Sequence, residues 1–423
     1  MNLDLQALIE SIIFEQMAEG GLAGHMSHLH ENPDLTFGDL KNVFRLASQG
    51  KLQEVTEKLD GQNFFFTFDL TKGEIRFARN KGNIKSGGLS AADVAAKWAD
   101  KPAVSKAFTM AYKIMQNAVG TLDSKTVQSI FGPNGNIWYS AEVLSTDNPN
   151  TINYDRNVLV FHKSGIVYDQ NGNPTEVDTS QNFDRLVSQV ERLQKAVADS
   201  GWNIMGPVLV PLQKLASQEP LNKAVTKLQG LQSQFGLSDG HKIRDFLKAA
   251  LMKGPLSSFD KGLAKFMANL VVDDNMGGNE KRKLLQSKVP DKAVFKNLSA
   301  FLMNRDQLLS GAVAPIEMVI HDFAVDLLAG VQSMIALHPN EEVRRLKGAT
   351  AEAIQKIKQS GNREFIDTLN KQLSKLQSVD RVTSSMEGIT FRFKGHTYKF
   401  TGAFNPINQI LGLVRYGRGG TKI

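Results

Sequence analysis

The spacing of apolar residues changes character twice along this chain, and the second change narrows its possible folds more than any other feature. Between 54 and 80, and again between 137 and 168, short runs rich in aromatic and β-branched residues read as strands. These are Phe64-Phe65-Phe66-Thr67-Phe68, then Glu74-Ile75-Arg76-Phe77 after a Thr71-Lys72-Gly73 turn, then Ile137-Trp138-Tyr139 and Val158-Leu159-Val160-Phe161. About 200 residues of helical spacing follow, opening with Leu186, Val187, Val190 and Leu193. At Gly388 the strand pattern returns as Ile389-Thr390-Phe391-Arg392-Phe393 and His396-Thr397-Tyr398-Lys399-Phe400. The pattern predicts an α+β domain interrupted by a large all-α insertion, its last strands supplied from the far end of the chain.

At 423 residues the chain is too long for one core. The divisions expected are an N-terminal helical segment (1–50), an α+β domain from 51–180 plus 381–423, and a helical insertion (181–380). Leu5, Leu8, Ile9, Ile12, Ile13 and Met17 predict a first helix ending at Gly20-Gly21. A second is expected from Phe37 to Ser48 after the Asn32-Pro33 turn, further helix over 90–122, and a hairpin around Asn171-Gly172-Asn173-Pro174. Cys is absent, which excludes disulfides and thiolate metal sites and suits a reducing cytoplasm. Met1-Asn2-Leu3-Asp4-Leu5 lacks a basic leader region, so a cytoplasmic protein is expected. The most apolar window, 308–337, is interrupted by Pro315, Glu317, Asp322 and Asp326 and reads as buried helices, with no membrane span.

Fifty Lys+Arg against 43 Asp+Glu give a net charge of +7, compatible with a polyanionic partner. Most of that excess lies in 181–380. Its densest patch, Lys281-Arg282-Lys283 with Lys288, Lys292 and Lys296, reads either as a phosphate-binding face or as a solvated helix surface. His25, His28, His30 and Glu31 are close in sequence, as zinc ligands are. Their spacing does not put three imidazoles on one helical face, so a turn or helix-end role is expected.

Lys58-Leu59-Asp60-Gly61 sits between two predicted strands. A lysine amine attacks only when deprotonated, so its ordinary pKa of about 10.4 must be lowered by burial or neighbouring cations. Alone, the tetrapeptide is equally a surface hairpin turn. In order, however, the strand segments resemble the covalent nucleotidyltransferases, the ATP-dependent DNA and RNA ligases and their capping-enzyme relatives. The resemblance covers about 54–169 and 385–402. Glu57-Lys58-Leu59-Asp60-Gly61-Gln62-Asn63-Phe64 looks like motif I, closer to the phage RNA-ligase branch in its Gly-x-Asn-Phe continuation. Phe77-Ala78-Arg79 looks like the strand that ends in a ribose-binding arginine. Tyr139-Ser140-Ala141-Glu142 resembles motif III and Val158-Leu159-Val160-Phe161 motif IIIa. Glu387-Gly388-Ile389-Thr390 resembles motif IV, and Tyr398-Lys399-Phe400 motif V.

That resemblance implies a nucleotidyltransferase fold of ATP-grasp-like antiparallel sheets using ATP and Mg²⁺. Lys58 would be the catalytic nucleophile and Lys399 the catalytic phosphate-binding cation. Glu57, Asp60, Gly61 and Asn63 would line the nucleotide site. Glu142 and Arg79 would hold the ribose, with Arg76, on the opposite face of the same strand, as the competing arginine. Phe161 would stack on the base and Glu387 would hold the metal. The function implied is an ATP-dependent polynucleotide ligase acting on nucleic acid, RNA before DNA, in a host cytoplasm if phage-encoded, with the insertion free to engage a protein partner. The alternative is a non-catalytic phage scaffold or virion-associated protein that retains the fold. Three departures stand out. Lys399 is flanked by Thr397 and Thr401 where the family commonly has a second lysine, leaving Lys394 or Arg392 to supply it. Motif III reads Ala-Glu where Gly-Glu is usual. Only 24 residues follow Lys399, too few for a C-terminal OB domain, although Arg415-Tyr416-Gly417-Arg418 could add cations.

Overall fold

A computed structural model describes residues 27–169, 173–175, 177–274, 276–331, 340–376, 387–402 and 404–416. The helix expected over 5–17, His25 and Arg418 lie outside them.

The strands expected from sequence form two antiparallel sheets. β1 (Gln53–Lys58), β8 (Gly388–Phe393) and β9 (His396–Thr401) make a small sheet in the order β1-β8-β9. β2 (Gln62–Asp69), β3 (Glu74–Ala78), β4 (Ile137–Leu144), β5 (Asn157–Tyr168) and β6 (Pro174–Thr175) make a large one in the order β3-β2-β4-β5-β6. Tyr168 pairs with Pro174, so the last expected hairpin closes. A sixth strand, β7 (Trp202–Met205), joins the large sheet parallel to β5 inside the region read as helix. Four residues are too few to show a two-residue period against helical neighbours. The small sheet is extended at both edges: the Val210 amide donates to the Val55 carbonyl at 2.9 Å, and the Lys399 amide to the Ser27 carbonyl at 3.1 Å.

Apart from a five-residue helix at Lys81–Lys85, the α-helices are α1 (Phe37–Ser48), α2 (Ala91–Lys97), α3 (Pro102–Val119), α4 (Ser124–Phe131), α5 (Ser180–Ser188), α6 (Val190–Ala196), α7 (Glu219–Phe235), α8 (Ile243–Lys253), α9 (Lys261–Val272), α10 (Gly278–Lys288), α11 (Lys292–Met303), α12 (Arg305–Val331), α13 (Asn340–Ser360), α14 (Arg363–Leu376) and α15 (Phe404–Tyr416). Local chemistry sets the first of these. The Thr36 hydroxyl accepts from the Asp39 amide at 3.0 Å while the Asp39 carboxylate accepts from the Thr36 amide at 3.1 Å, a reciprocal cap.

Each sheet buries one face in a large core, and these two cores are separate; the second face of the large sheet also carries two smaller apolar clusters, one with Phe65, Trp138 and Tyr168 and one with Leu144, Val158 and Val160. Phe64, Phe66, Phe77, Tyr139 and Phe161 of the large sheet pack on α3–α6. Ile389, Phe391, Tyr398 and Phe400 of the small sheet pack with α1 and α7–α12. The packing therefore does not divide at 50, 180 and 380. α1 and the returning strands share one core with much of the helical stretch, because an isolated three-stranded sheet needs an apolar partner layer. A third cluster joins α13, α14 and α15 through Leu346, Ile357, Leu369 and Ile410. Within α12, Arg305–Ala329 is long and apolar enough to cross a membrane by length and composition alone. Ile316, Val319, Ile320, Phe323 and Leu327 are buried in the small-sheet core, which is what a core helix does.

Candidate active site

Alternation along β1 sends Thr56 and Lys58 to one side of the small sheet and Val55 and Glu57 to the other. In the register, Lys58 faces Gly388, Thr56 faces Thr390, and Thr390 in turn faces Lys399. The Thr56 and Thr390 hydroxyl oxygens are 2.7 Å apart, so these residues share a face. Lys58, Thr56, Thr390 and Lys399 thus form one polar surface opposite the apolar core. Lys58 donates to Glu387, just before β8, so residues more than 300 positions apart in sequence meet as expected. Gly388 is required here by space: a Cβ would lie 2.0 Å from the Phe400 carbonyl oxygen.

Leu59-Asp60-Gly61 carries the chain from the small sheet to the large one. The Asp60 amide donates to the Tyr154 hydroxyl at 2.9 Å. Its carboxylate accepts from the Ile152 amide at 2.6 Å and from the Asn150 side chain at 2.9 Å. Asp60, expected to line the nucleotide site, is instead buried as the brace of the 150–154 loop. Burial pushes its pKa up to about 6, although those donors and the Lys58 charge act the other way. Gly61 has no room for a side chain, because a Cβ would meet the Glu142 Cγ at 2.5 Å. The Gly61 amide donates to Glu142 Oε1 at 3.0 Å, and Glu142 Oε2 lies 2.8 Å from His162 Nε2. Asn63 pairs with Glu142 across the strands and donates to the Ser140 hydroxyl at 3.0 Å. Asn63, Ser140, Glu142 and His162 therefore form a polar window on the large sheet's second face. Glu57, one residue before the lysine, is buried with an unpartnered Oε2, and burial pushes its carboxyl up to about 7.

Several expected residues are not brought here. Phe161 is fully buried, its ring 5.4 Å from that of Phe66 in the aromatic core, so it stacks on protein and offers no face to a base. Its neighbours Val160 and His162 occupy the other face of β5. Arg79 lies 5.3 Å over the Phe108 ring on the α3 side. Arg76 is held by Glu74 at 2.8 Å and by the Gly87 and Gly88 carbonyls at 2.9 and 3.0 Å. The partner of Glu142 is His162, with neither arginine in contact. Lys394 pairs with Asp39 at 2.7 Å and Arg392 with Glu54 at 3.3 Å, so neither supplies a second lysine beside Lys399. In the basic patch, Lys281 is buried and donates to the Asp273 carbonyl, while Arg282 lies over the Phe295 ring. Those two are packing groups.

Sequence reasoning missed His162, Tyr154 and the 150–152 loop. For His162 a signal existed, since it alternates with Phe161 and must face away from it. It also set aside His28 and His30, which the structure brings to the lysines. Their rings stack at 5.2 Å. Burial first, and then the charges of Lys399, His30, Lys58 and Lys375, hold His28 well below its ordinary pKa. Among the described residues, which leave out His25, no three His, Asp or Glu side chains gather to hold a metal. Mg²⁺ fits on other terms: it keeps waters and substrate phosphate oxygens as ligands and asks the protein for one or two carboxylates. Glu387, which accepts from Lys58, is the carboxylate that would serve there.

No protein-family model, curated protein or solved structure matches this chain.

Proposed function

We propose that this chain is an ATP-dependent polynucleotide ligase, acting on RNA before DNA, that works through a covalent lysine–AMP at Lys58. The observation that carries the reading is the meeting of Lys58 with Glu387 across β1 and β8, with Lys399 on the same face. A nucleophile, an acidic side chain and a second cation are what attack on a nucleotide phosphate requires. The Lys58 nitrogen would bond to the α-phosphorus while the bond to the pyrophosphate oxygen breaks, its electron pair leaving on pyrophosphate. The amine must first give up a proton, and Glu387 is the acceptor in contact with it. Negative charge then grows on the phosphate oxygens and leaving group, where Lys399 stabilises the transition state more than the ground state. Mg²⁺ carried by the phosphates would add to that stabilisation. Asn63, Ser140, Glu142 and His162 supply hydrogen-bonding groups of the kind that ribose hydroxyls need. In the steps that follow, AMP passes to a 5′-phosphate and a 3′-hydroxyl displaces it.

The test is adenylation. With α-labelled ATP and Mg²⁺ the protein should acquire acid-stable label that pyrophosphate removes. Lys58→Ala should lower it by at least about 10³-fold, because Lys58 is the group that would form the bond. Absence of label on the unaltered protein, with ATP, GTP and NAD all tried, would leave a non-catalytic scaffold as the better reading.

A further inference from the structure

We infer that four exposed lysines of α10 and α11, Lys283, Lys288, Lys292 and Lys296, form a surface that binds the phosphate backbone of RNA. The inference rests on the ligase reading only for the kind of polymer. A ligase must hold the strands it joins, and the sheet site has groups for a single nucleotide.

Between 281 and 296 the chain carries six cations and one carboxylate, Asp291. The fold sorts those six. Lys281 turns inward to the Asp273 carbonyl, and the Arg282 guanidinium lies 6.0 Å over the Phe295 ring, joining α10 to α11. The other four are exposed, and among the described residues none of them pairs with a carboxylate. The nearest acidic residues in sequence are engaged elsewhere. Asp291 accepts from the Ala293 and Val294 amides at 2.8 and 2.9 Å, capping α11. Asp274 and Asp306 both pair with Arg305. Glu280 stays in the first turn of α10, where it suits the helix dipole. Leu285, Val289 and Leu298 anchor the two helices in the core shared with Ile389 and Phe400, so this surface belongs to the body that carries Lys58 and Lys399.

A merely solvated helix surface does not favour this placement. Lys292 opens α11, where the helix macrodipole disfavours a cation. Lys292 and Lys296 stand four residues apart, a spacing at which like charges repel and opposite charges attract. In α13 that spacing holds an opposite pair, Glu352 with Lys356 at 2.8 Å, whereas α11 has a second lysine. A polyanion reverses both penalties. Four residues rise about 6 Å along a helix, so Lys292 and Lys296 can meet separate phosphates. Lys288 ends α10 and Lys292 begins α11, so the Val289-Pro290-Asp291 turn carries the positive surface from one helix to the next. Single ammonium heads on flexible stems suit phosphates along a strand, and they read charge without reading sequence. Gln286 and Asn297, also exposed, add side chains of the kind that hydrogen-bond phosphate and sugar. A lipid surface asks for large apolar side chains beside the cations, and from 283 to 297 no exposed residue is one.

Fluorescence anisotropy of a labelled single-stranded RNA of mixed sequence, read with the full-length chain from about 50 to about 200 mM salt, tests the inference. Lys283→Gln/Lys288→Gln/Lys292→Gln/Lys296→Gln should flatten the slope of log affinity against log salt by about 3, since each lost phosphate contact removes about 0.7. Lys101→Gln/Lys113→Gln/Lys125→Gln/Lys195→Gln removes the same charge from exposed lysines in or beside α3, α4 and α6, and should keep the slope within about 1. Arginine at the four α10–α11 positions should keep it too. Equal slopes for the two glutamine variants overturn the inference, as does an unaltered protein that binds RNA without salt dependence or not at all. Phosphatidylserine vesicles bound through the same four lysines, with no RNA bound, overturn it as well. If the unaltered protein acquires no label from ATP yet binds RNA through these lysines, the ligase reading fails while this surface stands. If it labels normally and the α10–α11 glutamine variant binds RNA as before, only the present inference fails.

Discussion

The two sheets bury aromatic faces alike, but they differ in what they leave on their second faces. The small sheet presents ammonium and hydroxyl groups: Lys58, Lys399, Thr56 and Thr390. The large sheet presents an amide, a hydroxyl, a carboxylate and an imidazole: Asn63, Ser140, Glu142 and His162. The first set suits phosphate, the second suits sugar hydroxyls, and the three-residue crossing at Leu59-Asp60-Gly61 joins them. Charge and hydrogen-bonding capacity have been sorted onto two surfaces. A ligand with an anionic end and a hydroxylated middle would be oriented by that sorting before any specific contact is counted. Substitutions on either surface test that sorting.

The largest effect should come from the buried side of the large sheet. Phe161→Ala removes a fully buried ring from a cluster that includes Phe66 and Tyr139, and should cost about 3–5 kcal/mol of stability. A urea titration reads this as a lower midpoint with little change in slope. Labelling of the fraction still folded should persist. Should Phe161→Leu fold well yet lose ATP binding selectively, the ring belongs to the ligand side and the division between the faces is wrong.

Phe161 also shows how far the sequence can be read. Its strand was legible, and so were the strands that carry or adjoin Lys58, Glu387 and Lys399, because each has a strong local pattern. Which face of a strand is open was not legible, since that depends on what packs there, and α3–α6 come from elsewhere in the chain. The same gap explains Arg76 and Arg79. An arginine at a strand end is drawn to whichever carbonyls or rings are nearest, and only the fold brings Gly87, Gly88 and Phe108 there. Asp60 went astray for another reason. A carboxylate in a turn looks available until a distant loop, here 150–152, donates to it. The histidines at 28 and 30 were visible as a cluster, but the place of their segment at the edge of β9 came from the fold.

On the small sheet the comparison sharpens between adjacent residues, Glu57 buried and Lys58 on the polar face. Burial raises the Glu57 carboxyl from its ordinary value near 4.5 to about 7, so the folded protein binds a proton there that the unfolded chain has released. Between those two values the folded state holds more protons, and stability must fall as pH rises. The contribution is full below about 4.5 and lost above about 7, amounting to about 3 kcal/mol. Asp60, raised to about 6, adds a fall of the same sign at lower pH. Glu57→Gln cannot ionise, so its advantage over the unaltered protein should grow by about 2.5 kcal/mol between pH 5 and pH 8. Urea midpoints for both proteins at the two pH values measure this. Parallel profiles would mean that the Glu57 carboxylate is solvated or partnered in solution.

The smallest effect separates a sugar-binding role for Glu142 from a bracing one. Glu142 already accepts from Gly61 and meets His162, and each carboxylate oxygen has a second lone pair to offer. Glu142→Gln keeps a carbonyl acceptor for the Gly61 amide, so stability should change by less than about 1 kcal/mol. If Glu142 receives a ribose hydroxyl, ATP should lose roughly tenfold in KM through exchange of a charged acceptor for a neutral one, about 1.4 kcal/mol. 2′-Deoxy-ATP, lacking one hydroxyl, should lose less, narrowing the preference for ATP. The readout is the ratio of the two KM values in the labelling reaction, compared before and after substitution. An unchanged ratio with a loss of stability would make Glu142 a brace for the turn and leave Asn63, Ser140 and His162 to hold the sugar.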